Sequence, residues 1–452
     1  MPDRAGTTQY ATYTINMEKT AAKRVFVQSF GCRASQADGA AIEASLADEG
    51  YVAAREAAGA DLIVLNTCTV THGADGDARR LIRGVHRDHP LSEILVTGCY
   101  AQRAPQEIAA IEGVRWVVGN SHKTEIAGIV SAPGTDYHGR IFVGDIGKQQ
   151  QFLSAPVRDI REDRTRPNLK IQDGCSNRCS FCIIPSVRGR SRSAPLASVI
   201  EQVRDLASRY CEVVLSGINL GRWGRDLAGG LRFVDLLRQV LAETAVQRLR
   251  ISSVEPMDWS QDLLELIASE PRIAKHVHLP LQSGSDTVLK RMFRKYRTRH
   301  YESRVSLARA LMPDAAIGAD VMTGFPGETD GEFAETCEFI ERLPFTYLHV
   351  FTYSERPGTD AATHADPVPI PVRHERTRVL REISDRKNLD FRRRMIGKTL
   401  SAVTLEQRKM ALTSNFLKVE MAEAREPNQI IDLSIGSLAP AGLRESSPFP
   451  II

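Results

Sequence analysis

Between Leu169 and Tyr353 six short apolar runs alternate with stretches of helical period: LKIQ (169–172), EVVLSG (212–217), LRISSV (249–254), HVHLPL (276–281), IGADVMT (317–323) and YLHVFTY (347–353). Parallel strands can be joined only by crossovers, so repeated strand–helix units restrict this part of the chain to a parallel sheet curled into a partial or closed barrel. Functional groups of such a barrel belong at the carboxyl ends of its strands. A shorter series precedes it, VFVQSF, DLIVLN and EILVTG, with helices near 37–49 and 74–88, which predicts a parallel α/β domain over residues 23–127. Residues 128–166 mix Gly, Pro, Gln and charge and are expected to form a linker with a hairpin at RIFVGDI. The barrel with a basic closing helix is expected over 167–397. From Leu400 the runs SAVTLEQ, FLKVEMA and QIIDLSIG, broken by Asn, Pro and Gly, predict a small β-barrel over 398–452. Residues 1–22 show no sustained period and are expected to be a disordered leader, with Met17 as an alternative start.

Composition limits the partners. With 452 residues, 42% apolar and 25% charged, the chain can bury a large core divided among domains. It holds no apolar run of about 18 residues and no signal-peptide core, so no membrane partner is expected and the cytoplasm is the default location. Thiols stay reduced there, and eight cysteines point to metal or catalysis before disulfides. A net charge of +4 is too small to identify a nucleic-acid partner, but its distribution is uneven. Residues 373–398 hold ten Lys or Arg against four Asp or Glu, and are expected to act as a basic arm on phosphates. KRMFRKYRTR (290–299) has six basic residues beside Phe293 and Tyr296, a pattern that can pair phosphates while an aromatic stacks on an unpaired base. Residues 398–452 balance six basic against six acidic residues, so their electrostatic pull is slight.

The chemistry-bearing residues are cysteines. Cys175, Cys179 and Cys182 follow the first barrel strand at C-x3-C-x2-C spacing, and no fourth Cys or His completes the four ligands a structural zinc wants. Three thiolates on an iron–sulfur cube would leave one iron open. Cys32, Cys68 and Cys99 each stand just past a strand of the first series, where residues far apart in sequence converge beyond the strand ends. The alternative is three small buried core residues. Gly217 would let a cofactor approach the backbone, and Glu255 stands where it could meet an amine or ribose; a turn glycine and a solvated acid are the alternatives. Cys211 and Cys337 read as packing residues.

KIQDGCSNRCSFCIIPSVRGRSRS, with Phe181 immediately before the last cysteine, resembles the signature of radical S-adenosylmethionine (radical SAM) enzymes. Together with GC-x-A-S-Q-A-D, LNTCTVT, VTGCYAQ, RISSVEP, HVHLPLQSGSDTVLKRM and ADVMTGFPGET it resembles the methylthiotransferase family within that superfamily. The resemblance covers nearly the whole chain. It implies an N-terminal methylthiotransferase domain, a radical SAM barrel and a C-terminal TRAM domain. It further implies a [4Fe–4S] cluster on Cys175, Cys179 and Cys182 whose open iron takes SAM, with Phe181, Gly217 and Glu255 near the cofactor. An auxiliary [4Fe–4S] cluster on Cys32, Cys68 and Cys99 would carry sulfur to be methylated and inserted at an unactivated C–H by a radical route. The implied partners are the anticodon stem-loop of tRNA, an electron donor and a sulfur source. One departure stands out: the family usually has Asn and then an acid–Ser pair after the first auxiliary cysteine, whereas this chain has Ser35, Asp38 and Gly39, which puts the tuning of that cluster in question.

Family branches differ in substrate. One tRNA branch takes an adenosine with an apolar isopentenyl group, another one with a threonylcarbamoyl carboxylate, and a sister branch a ribosomal-protein aspartate. An ionised carboxylate in a dry pocket needs pairing, and Arg188, Arg190 and Arg192 of PSVRGRSRS are expected to line the mouth and supply it. The quoted segments look closest to the threonylcarbamoyl branch, so the expected product is 2-methylthio-N6-threonylcarbamoyladenosine at position 37. The alternatives are the other two substrates, or a non-catalytic iron–sulfur RNA-binding protein.

Overall fold

The computed structural model describes residues 22–132, 140–149, 152–153 and 165–446. The expected leader lies outside them except for its last residue, as do residues 154–164 of the expected linker.

The first domain is a six-stranded parallel sheet in the order Val52–Ala53, Arg24–Ser29, Leu62–Thr67, Glu93–Gly98, Val114–Gly119 and Arg140–Phe142. Its central strand Leu62–Thr67 is buried at every residue, because helices cover both faces. Ile63 and Leu65 meet Ala78 and Ile82 of helix His72–Asp88, while Leu62 and Val64 meet Ile42 and Leu46 of helix Arg33–Asp48. RIFVGDI is no hairpin: Arg140–Phe142 joins Trp116–Val118 as a sixth parallel strand, after the short crossover helix Ile126–Ser131. The first domain therefore runs past residue 127. A six-residue helix is too short to show a period, which is why this crossover reads as linker.

Six parallel strands then follow in spatial order of sequence: Asn168–Asp173, Glu212–Gly217, Arg248–Ile251, His276–His278, Ala316–Thr323 and Tyr347–Thr352. A single bridge, Leu249 to Ile273, joins the two halves, and the barrel stays open between its first and last strands. Val213, Leu215, Val277, Ile317 and Val321 pack outward against the helices. With a side-chain period of two, Lys170, Glu212, Arg250, His276, His278, Asp320 and His349 turn into the lumen.

Helix Ile370–Arg393 closes the barrel segment, and the C-terminal unit is a closed five-stranded β-barrel. Two of its strands, Met410–Thr413 and Gly442–Glu445, are four residues long and show no alternation in the sequence. It docks at the amino ends of the large barrel's strands. Phe416 stacks on His276 at 4.3 Å, Arg250 donates to the carbonyls of Thr413 and Ser414, and Cys211 donates from both its backbone N–H and its thiol to Asn428. Among the described residues no helix is long and apolar enough to cross a membrane.

Candidate iron–sulfur and substrate site

The first domain's strand order reverses between Arg24–Ser29 and Leu62–Thr67, and ligands of doubly wound sheets bind beyond the carboxyl ends of strands at such a switch point. Cys32 and Cys68 flank it, and Cys99 opens the helix Cys99–Arg103 after the next strand. Gly31 has φ +94°, and a Cβ there would stand 2.9 Å from the Cys68 sulfur, so only glycine lets the Cys32 loop close on Cys68. Burial, then the neighbouring Cys99, push the Cys68 thiol up to about 11.

The other triad lies beyond the first strand of the large barrel. Cys175 Sγ accepts from the Asn177 N–H and from Asn219 Nδ2, both at 3.4 Å, and Cys179 Sγ accepts from Arg294 Nη1 at 3.1 Å. Burial pushes the Cys182 thiol up to about 12. Neutral thiols are weak acceptors, and donors converging on them match thiolates of an anionic iron–sulfur cluster. At the other triad Asn120 Nδ2 reaches Cys99 Sγ at 3.6 Å, Ser35 Oγ lies 3.7 Å from Cys32 Sγ, and the Arg188 guanidinium lies in the field of both cysteines. Both donor sets fit the clusters that the family resemblance implies.

Both triads border one seam. Cys99 packs against Ile183 and Val187, the residues that follow Cys182. Asp38 of the first domain is 1% exposed and is surrounded by Lys123 (2.9 Å), Arg188 (3.0 Å) and Lys170. Burial alone would push its carboxyl up; Lys123, Lys170 and Arg188 outweigh that and hold it well below the usual carboxylate range. Across the barrel's gap, Arg356 after the last strand pairs with Asp75 at 2.8 Å and donates to the Thr69 carbonyl, and the His72 N–H donates to Ser354 Oγ. The first domain thus bridges the first and last barrel strands and covers the open mouth.

Several expectations change with these positions. Arg188 is 1% exposed, with its guanidinium on Asp173 (2.9 Å), Asp38 and Ser35 Oγ, so the acids it pairs are the chain's own and not a substrate carboxylate. Arg192 also turns toward Asp173, at 3.9 Å, and donates to the Arg190 carbonyl, whereas Arg190 is exposed. Of Ser35, Asp38 and Gly39, the first two bind Arg188, and a Cβ on Gly39 would collide with Ser29 Oγ. Glu255 pairs with Arg294 at 2.6 Å and lines a cleft with Asn177, Cys179, Arg222, Met257 and Phe293. The space at Gly217 is filled by Gln172, whose amide donates to the Asp173 and Gly174 carbonyls and steadies the cysteine loop. Phe181 packs with Val288, Met322 and Tyr353.

The two RNA expectations change as well. Tyr296 is buried, its hydroxyl donating to the Pro280 and Leu281 carbonyls, so it cannot stack on a base; Phe293 is 52% exposed at the rim of the cleft. Several cations of the basic helix are already engaged: Arg376 pairs with Glu328 and Asp330, Arg378 with Glu375 and Glu382, Arg386 with Glu341, and Arg392, its charge unpaired among the described residues, donates to the carbonyls of Ala439 and Gly442. Asn120, Lys123, Lys170 and Asn219 carried no signal in the sequence, and Arg294 was visible only as one of six cations.

An open six-stranded barrel with three thiols beyond its first strand, covered by a doubly wound domain with three more, defines a radical SAM enzyme with a second cysteine site. Family models agree: residues 169–340 match the Radical SAM superfamily and residues 24–119 match "Uncharacterized protein family UPF0004". The chain is 35% identical over 413 residues to "Threonylcarbamoyladenosine tRNA methylthiotransferase MtaB" of Aquifex aeolicus, covering 91% of this chain and 100% of that one. The protein of the same description in Bacillus subtilis is 37% identical, with 87% and 89% covered. A "tRNA-2-methylthio-N(6)-dimethylallyladenosine synthase" of Syntrophobacter fumaroxidans is 35% identical, with 80% of each covered. Among solved structures, the radical S-adenosylmethionine methyltransferase TsrM of Kitasatospora setae shares the fold at a TM-score of 0.55 and 16% identity, with 73% of this chain and 72% of that one covered. The chain belongs to the radical SAM tRNA methylthiotransferase family, whose chemistry uses SAM and a [4Fe–4S] cluster.

Proposed function

We propose that this protein methylthiolates C2 of N6-threonylcarbamoyladenosine at position 37 of tRNA, with one [4Fe–4S] cluster on Cys175, Cys179 and Cys182 and a second on Cys32, Cys68 and Cys99. When bound, SAM and the clusters supply the one-electron chemistry and the methylthio group. The observation that carries the reading is the second thiol triad docked over the barrel mouth, which binding alone would not require. The threonylcarbamoyl substrate is supported by the fuller coverage of the Aquifex aeolicus and Bacillus subtilis relatives than of the dimethylallyl one, at similar identity.

The chain's own residues bind, orient and exclude water. Asn219 and Arg294 donate to the sulfurs of Cys175 and Cys179, which would hold the cluster, and Glu255 is held by Arg294 at the cleft where an amine of SAM would be paired. The docked first domain buries Cys99 against Ile183 and Val187 and leaves Cys32 exposed, so it withdraws the seam between the triads from solvent and keeps one edge of the second triad open. Phe293, with Met257 (44% exposed) beside it and the exposed Lys290 and Lys295 on its own segment, forms a stacking surface at the rim of the cleft for an unpaired anticodon-loop base. The small barrel, at the far end of the strands, would contact tRNA away from the target base. The reaction also needs an electron donor and a sulfur source, and a reducing compartment, the cytoplasm.

Mass spectrometry of tRNA nucleosides from cells lacking this protein tests the reading. The 2-methylthio-threonylcarbamoyl nucleoside should vanish and its unthiolated precursor accumulate. Accumulation of isopentenyladenosine with the threonylcarbamoyl product intact would move the protein to the other tRNA branch. No change in either nucleoside would favour the ribosomal-protein substrate.

A further inference from the structure

Three neighbouring barrel strands turn His278, Asp320 and His349 into the lumen. Asp320 and His349 are register partners, and His278 stands opposite Gly318, two residues before Asp320. Asp320 Oδ1 lies 3.5 Å from His278 Nε2 and 3.2 Å from His349 Nδ1, and one donor atom of each residue falls within 4.8 Å of the others.

His278 is 6% exposed, and its Nε2 is buried without a hydrogen-bond partner among the described residues. An unsatisfied buried polar group costs about 1–3 kcal/mol, and the Asp320 carboxylate at 3.5 Å faces this nitrogen as a charge without closing a hydrogen bond to it. Two imidazoles and one carboxylate are a donor set of catalytic zinc, which binds them tetrahedrally at about 2.0–2.2 Å and keeps a fourth position open. Bonds of that length put neighbouring tetrahedral ligands about 3.3 Å apart. The two separations from Asp320, 3.2 and 3.5 Å, lie near that value, the shorter of them closed as a hydrogen bond with His349 that a bound ion would replace, and the two imidazole nitrogens stand within 4.8 Å of each other. An octahedral ion would need about 3.0 Å at the same bond length, and hard cations such as magnesium prefer several oxygens over imidazole. Arg33 is the charged neighbour that acts on His278 as a cation, and the Asp320 carboxylate opposes it.

We propose that His278, Asp320 and His349 form a site for a zinc-class divalent cation in the barrel lumen, its fourth position open to a water or a substrate oxygen. The exposed His349 gives the ion access. The site stands whichever adenosine the enzyme modifies, since no residue of it belongs to the cleft or the triads.

The test uses full-length protein carrying its iron–sulfur clusters, so that the cysteines are occupied. It is incubated anaerobically with zinc chloride, freed of excess metal, and measured for zinc and iron per chain and by zinc-edge X-ray absorption. The expected result is one zinc per chain with a nitrogen and oxygen shell. His349→Ala and Asp320→Asn should each weaken retention by at least roughly tenfold at unchanged iron content. His349 is at the surface, so its replacement leaves the fold intact even where Asp320→Asn does not. No zinc retained by the unaltered protein, sulfur in the zinc shell, or equal retention in His349→Ala would overturn the assignment.

Discussion

Asp38→Asn should loosen the first domain from the barrel while both keep their own folds. The buried node holds two carboxylates, Asp38 and Asp173, against Lys123, Lys170 and Arg188. Neutralising Asp38 leaves Lys123 without its acid and Lys170 and Arg188 with Asp173 alone. At an effective dielectric of about 20, one unit pair at about 3 Å is worth roughly 5 kcal/mol before desolvation, and removing one partner of a buried pair costs about 3–5 kcal/mol. The Asn oxygen still accepts one hydrogen bond, worth about 1 kcal/mol. A net loss of about 3 kcal/mol remains, which raises the opening equilibrium by roughly two orders of magnitude.

Native-state hydrogen exchange on the anaerobic protein reads this directly. Amides at the seam, such as Cys175 N–H on the Gly189 carbonyl and Val187 N–H on the Ile183 carbonyl, should exchange faster by that factor. Those of the buried strand Leu62–Thr67 should not change. Lys123→Met removes one surplus cation and should recover part of the loss when combined with Asp38→Asn; strict additivity would deny the coupling. The acid response follows the same carboxylate. Its folded pKa lies below its unfolded value near about 3.9, so the unfolded chain binds the proton first. The pair's contribution is complete above that value and drains as pH falls below about 4, and Asp38→Asn should remove that part of the acid slope. Equal acceleration of exchange at the seam and in the central strand would refute the reasoning, because it would mean that the node holds up the domain itself and not its docking.

Three further outcomes are expected. Alanine at Cys175, Cys179 and Cys182 should abolish formation of 5′-deoxyadenosine, whereas alanine at Cys32, Cys68 and Cys99 should preserve SAM cleavage and stop thiolation; equal loss of cleavage in both would end the division of labour. Phe293→Ala should weaken tRNA binding by about 1–3 kcal/mol in filter-binding titrations, while Tyr296→Phe leaves affinity unchanged, since only the first ring is exposed. Arg190→Gln should flatten the salt dependence of tRNA binding by a log–log slope of roughly 0.7–0.9, and Arg392→Gln should leave that slope alone and instead loosen the small barrel that its guanidinium caps, as protease sensitivity near residue 399 would report.

What the sequence discloses is whatever local spacing encodes. Three thiols within eight residues point to an open metal site, and cysteines placed just past apolar runs point to a convergence beyond the strand ends, because a strand's end is visible as the end of its period. The three arginines after Cys182 show where that reasoning stops. Their alternation suggests one strip at the barrel mouth, yet helix Ile184–Arg188 ends at Gly189, with φ +75°, and turns Arg188 into the domain seam. Direction is set by packing, and the acids that capture Arg188 lie 15 and 150 residues away. The same holds for Lys170 and Lys123, whose bonds to Asp38 span 132 and 85 residues. One clue was nonetheless in plain view. Asp38 stands inside a helix where the family usually carries an acid and Ser, and Asp320 interrupts an otherwise apolar barrel strand; a charge that patterning places in a buried position requires a partner or a ligand. For Asp38 the partners are three cations at the interface between the two thiol sites. For Asp320 they are two imidazoles, one with an unsatisfied nitrogen, and it is that remaining deficit, not the presence of the charge, that argues for a metal.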